Sequence, residues 1–424
     1  MFNRRIYLDY ASLTPIDKRV QKEIKKYSKR QYANPSSLYK EGVLAKKAME
    51  EGRKQCADFL GAHPDEIVFT GGGTEGNNLA ILGGVESLRE KGVEYSDMHI
   101  IGSVIEHSSV RECLSYLHGK GVMIDTLCVD KNGLVSLEEL KSKITPKTVL
   151  VSVMTVNNEI GTIQPIREIA KVIRQARASM AAKEVDSPSN LRPLSYPIFH
   201  TDACQAALYE ELKVEKMGID LLTLDGSKVY GPRGIGLLYI KRNTPISPIV
   251  FGGGQEKGIR SGTENLPGIM SLGKALQLSE VLRTNEVKRV SALKEMFIEG
   301  LKEIRPDLKV NGGEFARPHL ASDLVSRRDL DESLSTSCPH IINISIPGID
   351  NEFFVLQLDA KGVAISTKSS CLRDEEESYV LKAIGAGSKH SIRVSFGRMT
   401  TKREVKKALR IMGEILRKNR YSSL

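Results

Sequence analysis

The sequence predicts an α/β protein, with a large domain built on a mostly parallel sheet and a smaller α+β C-terminal domain. Three observations carry this expectation. Apolar runs of strand length alternate with amphipathic helical stretches between residues 67 and 224, the order that gives parallel strands joined by crossover helices on both faces. Polar, glycine-containing turns follow several runs, as at 71–78 and 225–236, where an open α/β sheet places its ligands. Near Gly273 the alternation stops, and a long helical stretch leads into short strands.

Taken in order, the strand-length runs are 67–70, 99–102, 122–124, 149–153, 197–200 and 221–224. Most are nearly continuous Ile, Val, Leu or Phe, as strands buried on both faces should be. A helix is expected from Val43 to Leu60, closed by Gly61, a residue type that ends helices readily. The smaller domain opens with a helix from Lys274 through Leu293, Phe297 and Leu301. It continues with strands at 341–345 and 392–396 and a last helix from Thr401. The expected limits are 16–272 for the large domain, and 1–15 together with 273–424 for the small one. Two segments, 178–196 and 316–336, look inserted and read as surface excursions, since loops tolerate extra length cheaply.

At 424 residues the chain is longer than one ordinary core usually grows, so two subdomains or one large α/β domain with an appendage are expected. Its 40% hydrophobic and 27% charged residues are those of a soluble globular protein, and no apolar run approaches the ~20 residues of a membrane span. The N-terminal residues do not read as a signal peptide, and the expected compartment is the cytoplasm. A net charge of +10 raises the question of nucleic acid. The lysines and arginines are interleaved with glutamates at helical spacing and Trp is absent, so a solvated face is the better reading and nucleic acid is not an expected partner. Six cysteines form no CxxC pair and no ligand spacing, which argues for reduced thiols and against a metal site or disulfide framework.

Chemistry enters at the strand ends. Lys228 directly follows one run and precedes the turn 230–236. Desolvated at a strand's carboxyl end, it would offer a neutral amine for a Schiff base. A lone lysine in a turn is more often a surface residue, but Asp202 closes the preceding run. An acid and a lysine on neighbouring strand ends suit pyridoxal 5'-phosphate, whose ring nitrogen needs a carboxylate to stay protonated. The glycine turn 71–76 before the helical stretch at Leu79 fits a phosphate cradle at a helix N-terminus, or a plain turn. His107 and the amides Asn157 and Asn158 follow two further runs; the first suits ring stacking or proton transfer, the second a cofactor hydroxyl, and each is also compatible with a cap or turn. Cys371 stands in a polar stretch, 366–374, that no packed core would accept, the setting of a thiol that moves and reacts.

These residues sit in motifs that together resemble a cysteine desulfurase of the class V aminotransferase group, with some resemblance to selenocysteine lyase. The likeness spans nearly the whole chain: 7–11, 34–37, 73–78, Glu106 with His107, 156–161, 200–205, Lys228 with 230–232, 260–263, Cys371 and 391–398. It implies a fold-type I pyridoxal phosphate transferase and a homodimer acting on L-cysteine. In that resemblance Lys228 holds the cofactor covalently, Asp202 faces the ring nitrogen, Gln205 the phenolic oxygen, and His107 stacks on the ring. Asn158 lies near the cofactor hydroxyl and substrate, and Arg393 clamps the substrate carboxylate. Gly73, Thr74 and Ser227 hold phosphate, joined by Thr263 of the partner subunit. Cys371 takes sulfur from the substrate as a persulfide and passes it to an acceptor protein such as an iron-sulfur scaffold.

One departure is sharp. Where many members have Ser-Gly-His-Lys, this chain has Asp225, Gly226, Ser227 and Lys228. A carboxylate against a phosphate is repulsive, so Asp225 is expected to point away from it, accepting backbone N–H groups or pairing with a base.

Overall fold

The computed structural model describes residues 5–184, 196–314, 335–367 and 377–421. The chain opens with β1 (Ile6–Tyr7), α1 (Lys18–Lys29) and α2 (Lys40–Leu60). Seven strands follow: β2 (Ile67–Thr70), β3 (His99–Ser103), β4 (Met123–Leu127), β5 (Thr148–Ser152), β6 (Ile198–Asp202), β7 (Leu221–Asp225) and β8 (Gly236–Ile240). Between them lie α3 (Gly73–Arg89), α4 (Ser108–Gly119), α5 (Leu137–Lys143), α6 (Ile166–Glu184) and α7 (Val214–Met217). The long α8 (Leu266–Ile304) leads to β9 (Lys309–Asn311), β10 (Ile341–Ser345), α9 (Asn351–Ala360) and β11 (Val363–Ala364). The described chain closes with α10 (Tyr379–Ala383), β12 (Ser391–Ser395) and α11 (Lys402–Tyr421).

The central sheet has the order β2-β8-β7-β6-β5-β3-β4. Pairings from β4 through β7 are parallel, and β8 runs antiparallel between β7 and β2. Every residue of β3, β5, β6 and β8 is buried, as expected of strands covered on both faces. Strand order reverses at β3, whose neighbours are β4 and β5. The carboxyl ends beside that reversal form the crevice in which open α/β sheets bind ligands.

A second sheet, β12-β10-β9, is antiparallel, and β1 pairs with β11 in a short parallel ribbon. Ser395 at the end of β12 also bridges to Asp9. The first and last parts of the chain therefore meet beside the central sheet.

Three expectations are corrected. β8 is not among the expected runs, although its five residues are apolar enough to be buried throughout; the glycine turn before it hides a strand short enough to pass as part of the turn. The helix expected from Lys274 begins at Leu266, because Asn265 caps it by accepting from the Gly268 N–H and Pro267 is tolerated in a first turn. It therefore runs through position 273. The excursion expected at 178–196 starts as helix, since α6 continues to Glu184. Residues 185–195 and 315–334, which make up most of the two expected insertions, lie outside the described residues. No described helix is long and apolar enough to cross a membrane.

Candidate active site

One cavity of about 200 Å³ lies at the carboxyl ends of β3, β5, β6 and β7, lined among others by Thr74, His107, Asn158, Asp202, Lys228 and Arg393. Gly73, Gln205, Asp225 and Ser227 line it too. Thus ten of the twelve residues singled out as site candidates or as the departure at 225 line one cavity.

 The other two are Thr263, which is exposed and does not line this cavity, and Cys371, which lies outside the described residues. The resemblance places Thr263 in the partner subunit's cavity, so a single chain does not bring it to this one.

The acid and the amine are fixed by neighbours from distant parts of the chain. Asp202 ends β6, where Oδ2 accepts from Asn77 Nδ2 at 2.8 Å and Oδ1 from the Cys204 N–H at 2.9 Å. Asn77, on α3, also donates to Ser109 Oγ at 2.8 Å. It belongs to the quoted 73–78 motif, but the sequence offers no signal for its partner. Lys228 sits in the turn after β7, and its Nζ donates to the carbonyl oxygens of Ala11 and Ser12 at 3.0 and 2.6 Å. Gln205 Nε2 donates to the same Ala11 oxygen at 2.8 Å.

His107 caps α4: its Nδ1 accepts from the Ser109 N–H at 3.2 Å. An accepting Nδ1 puts the proton of a neutral ring on Nε2. The preceding Glu106 is fully buried, and burial pushes its carboxyl up to about 8 despite hydrogen bonds from Ser103 and the Met154 N–H. Cys204 lines the cavity, but burial first, then the Asp202 and Asp225 carboxylates, push its thiol well above the ordinary range.

Arg393 is almost fully buried on β12. Nη1 donates to the Asn158 carbonyl at 3.0 Å, and Nη2 to Asp9 Oδ1 at 2.9 Å and Ser12 Oγ at 2.7 Å. Its Nε and the side-chain Oδ1 of Asn158 are buried and have no hydrogen-bond partner among the described residues. Such groups are costly unless something fills the cavity and pairs with them.

At the opposite end, Gly72 has φ +145°, open to glycine alone, and leads into Gly73, the first residue of α3. A Cβ on Gly73 would stand 2.9 Å from Cys204 Sγ and 3.4 Å from Asp225 Cβ, so a side chain there would fill the cradle. Asp225 accepts from the Gly73 N–H through Oδ2 at 2.9 Å and from the Ser227 N–H through Oδ1 at 2.7 Å. The expectation of backbone acceptors is met. Its other half is corrected: Asp225 lines the cavity instead of pointing away, because the positive end of α3 attracts the carboxylate.

These features fit pyridoxal phosphate: an amine, a carboxylate and unpaired buried groups surround one cavity with a glycine-lined helix end. Comparison with known proteins agrees. Residues 6–408 match the aminotransferase class-V family. The cysteine desulfurase IscS of Dictyoglomus turgidum is 37% identical over 424 residues, covering 99% of this chain and 96% of the relative. A solved NifS-like protein superposes with a TM-score of 0.82 at 29% identity, covering 97% of this chain and 99% of that one. The structure of SspA in complex with cysteine gives a TM-score of 0.69 at 33% identity, over 92% and 98% of the two chains.

Proposed function

This chain belongs to the aminotransferase class-V family, and we propose that within it the protein is a cysteine desulfurase. It is a pyridoxal phosphate enzyme that removes sulfur from L-cysteine, leaving L-alanine and a persulfide on Cys371. The observation that carries the reading is the convergence of Lys228, Asp202 and Arg393 on one cavity. The naming of the relatives for cysteine supports the same substrate and does not favour selenocysteine lyase.

Bound in this cavity, pyridoxal phosphate supplies a protonated ring that withdraws electrons from the substrate's Cα. Asp202, held at both oxygens by Asn77 and the Cys204 N–H, would supply the carboxylate that keeps the ring nitrogen protonated. Lys228 would hold the cofactor and would serve as the base that moves the proton at the substrate Cα. The Ala11 and Ser12 carbonyls keep its amine at the cavity mouth. His107 would stack on one face of the ring, its Nδ1 being held by Ser109. Arg393 Nε takes the substrate carboxylate beside the guanidinium's existing bonds, and Asn158 Oδ1 accepts from a cofactor or substrate group.

The sulfur carrier is proposed to be Cys371, on its polar stretch and its match to the nucleophile of the family; the raised thiol of the cavity-lining Cys204 is consistent with that choice. A homodimer would bring the partner subunit's Thr263 to the phosphate. The acceptor of the persulfide sulfur is proposed to be a scaffold protein for iron-sulfur clusters. Cys56, Cys113, Cys128, Cys204 and Cys338 are free thiols, which suits a reducing compartment such as the cytoplasm.

The test is to supply L-cysteine and pyridoxal phosphate and to assay alanine and protein persulfide together. Both are expected to form. Alanine without persulfide removes the role of the thiol, and neither product removes the proposed function.

A further inference from the structure

The end of the cavity that should receive a phosphate already holds an anion supplied by the chain. Asp225 Oδ2 takes the Gly73 N–H, one of the first-turn donors of α3 that a phosphate would use. Its other oxygen takes the Ser227 N–H, the second residue expected at the phosphate. Both oxygens are therefore engaged on the groups that form the cradle.

We propose that Asp225 binds the cofactor phosphate as the protonated acid, so that loading the cofactor takes up one proton from solvent. The inference rests on the pyridoxal phosphate reading above. A phosphate dianion beside a carboxylate is repelled. Once protonated, the same side chain keeps one oxygen as an acceptor and turns the other into an O–H donor toward the phosphate. The bound state then holds its proton more tightly than the empty state, so affinity is greatest at low pH and falls as pH rises.

Other ionisable groups face the same space. Asp202 and Cys204 come from the end of β6, Lys228 from the turn after β7, and His107 from the start of α4. Glu75, on the first turn of α3, accepts from the Gly71 N–H and is paired with Arg260 at 2.7 Å. Arg393 closes the far end of the cavity. All of these side chains, and the phosphate itself, remain when Asp225 alone is replaced; only Cys204 loses one of the two carboxylates that push its thiol up, and pyridoxal, which meets the same thiol, controls for that change.

The experiment titrates the apo-protein with pyridoxal 5'-phosphate from about pH 6 to 9, reading the absorbance band of bound cofactor for the parent, Asp225→Asn and Asp225→Ser. Asp225→Asn keeps the shape and an acceptor oxygen, and Asp225→Ser supplies a hydroxyl donor. Pyridoxal, which lacks the phosphate, serves as the control ligand. At about pH 8 both variants should bind pyridoxal phosphate more than tenfold tighter than the parent, with pyridoxal affinity unchanged. The parent's affinity should weaken with pH more steeply than either variant's, approaching tenfold per pH unit. Calorimetry in two buffers of different ionisation enthalpy should find about one more proton taken up by the parent than by Asp225→Asn. Bands in all three proteins with dissociation constants within threefold and parallel pH profiles overturn the inference and leave the cofactor reading in place. No band in any of them overturns both. Should the variants fail to fold, the parent alone decides: a pH slope no steeper for pyridoxal phosphate than for pyridoxal overturns the inference.

Discussion

Arg393 Nη1 donates to the Asn158 carbonyl oxygen at 3.0 Å, so a strand of the second sheet grips the loop after β5 across the cavity. The guanidinium thus arrives oriented, with Nε still available among the described residues. Replacing it by lysine keeps the charge but loses the planar fork and its several directed donors.

Arg393→Lys should lower kcat/KM for L-cysteine on the order of a hundredfold, mostly through KM, while pyridoxal phosphate affinity changes less than threefold. Steady-state alanine formation and a cofactor titration check this. An unchanged KM would remove Arg393 from substrate binding.

Lys228→Ala should abolish covalent attachment of the cofactor and reduce alanine formation by more than a thousandfold. The folded state should survive, with a loss of about 1–3 kcal/mol from the two Lys228 hydrogen bonds removed, the Ala11 carbonyl keeping its donor from Gln205. Absorbance after reduction with borohydride and a thermal melt distinguish loss of attachment from loss of fold.

Cys371→Ser should retain cofactor binding and form no protein persulfide, whereas Cys204→Ser should form it at near the parent rate. The contrast follows from burial and two carboxylates that hold Cys204 as a thiol. Mass spectrometry after a single addition of L-cysteine reads both. A persulfide that disappears with Cys204 would reverse the assignment.

Burial raises the Glu106 carboxyl from 4.5 to about 8. Between those values the unfolded chain has released a proton that the folded protein keeps, so this group makes stability fall as pH rises. The slope is on the order of 1 kcal/mol per pH unit within the window. Glu106→Gln keeps an acceptor for Ser103 and the Met154 N–H and should flatten the decline between about pH 5 and 8. Denaturant unfolding at several pH values tests this, and a decline of equal slope in the variant would assign it to other groups.

The sheet was largely legible in the sequence because buried parallel strands are written as short apolar runs, as at β5 and β6. Asp202 and Lys228 were legible for a related reason: a polar residue that ends such a run falls at the crevice. β8 was not, since its apolar stretch directly follows a turn. Nor was the pairing of Asn77 with Asp202, 125 residues apart, or of Gly73 with Asp225, 152 apart. Sequence pattern reports which face a residue occupies, while these contacts depend on how two strand ends and one helix end meet. The charge of Asp225 was visible, but its acceptor geometry depends on the positive end of α3.

The bond between Asp9 and Arg393 joins residues 384 apart. At a synthesis rate of about 5–20 residues per second, Arg393 is translated roughly 20–80 s after Asp9. Through that interval the nascent chain carries Asp9, Ala11 and Ser12 with no guanidinium to meet, and the cavity lacks its far wall. A cell must therefore finish the polypeptide before it can be loaded for turnover, and a ribosome stalled late in the message leaves a product whose large sheet is complete but whose catalytic cavity is open.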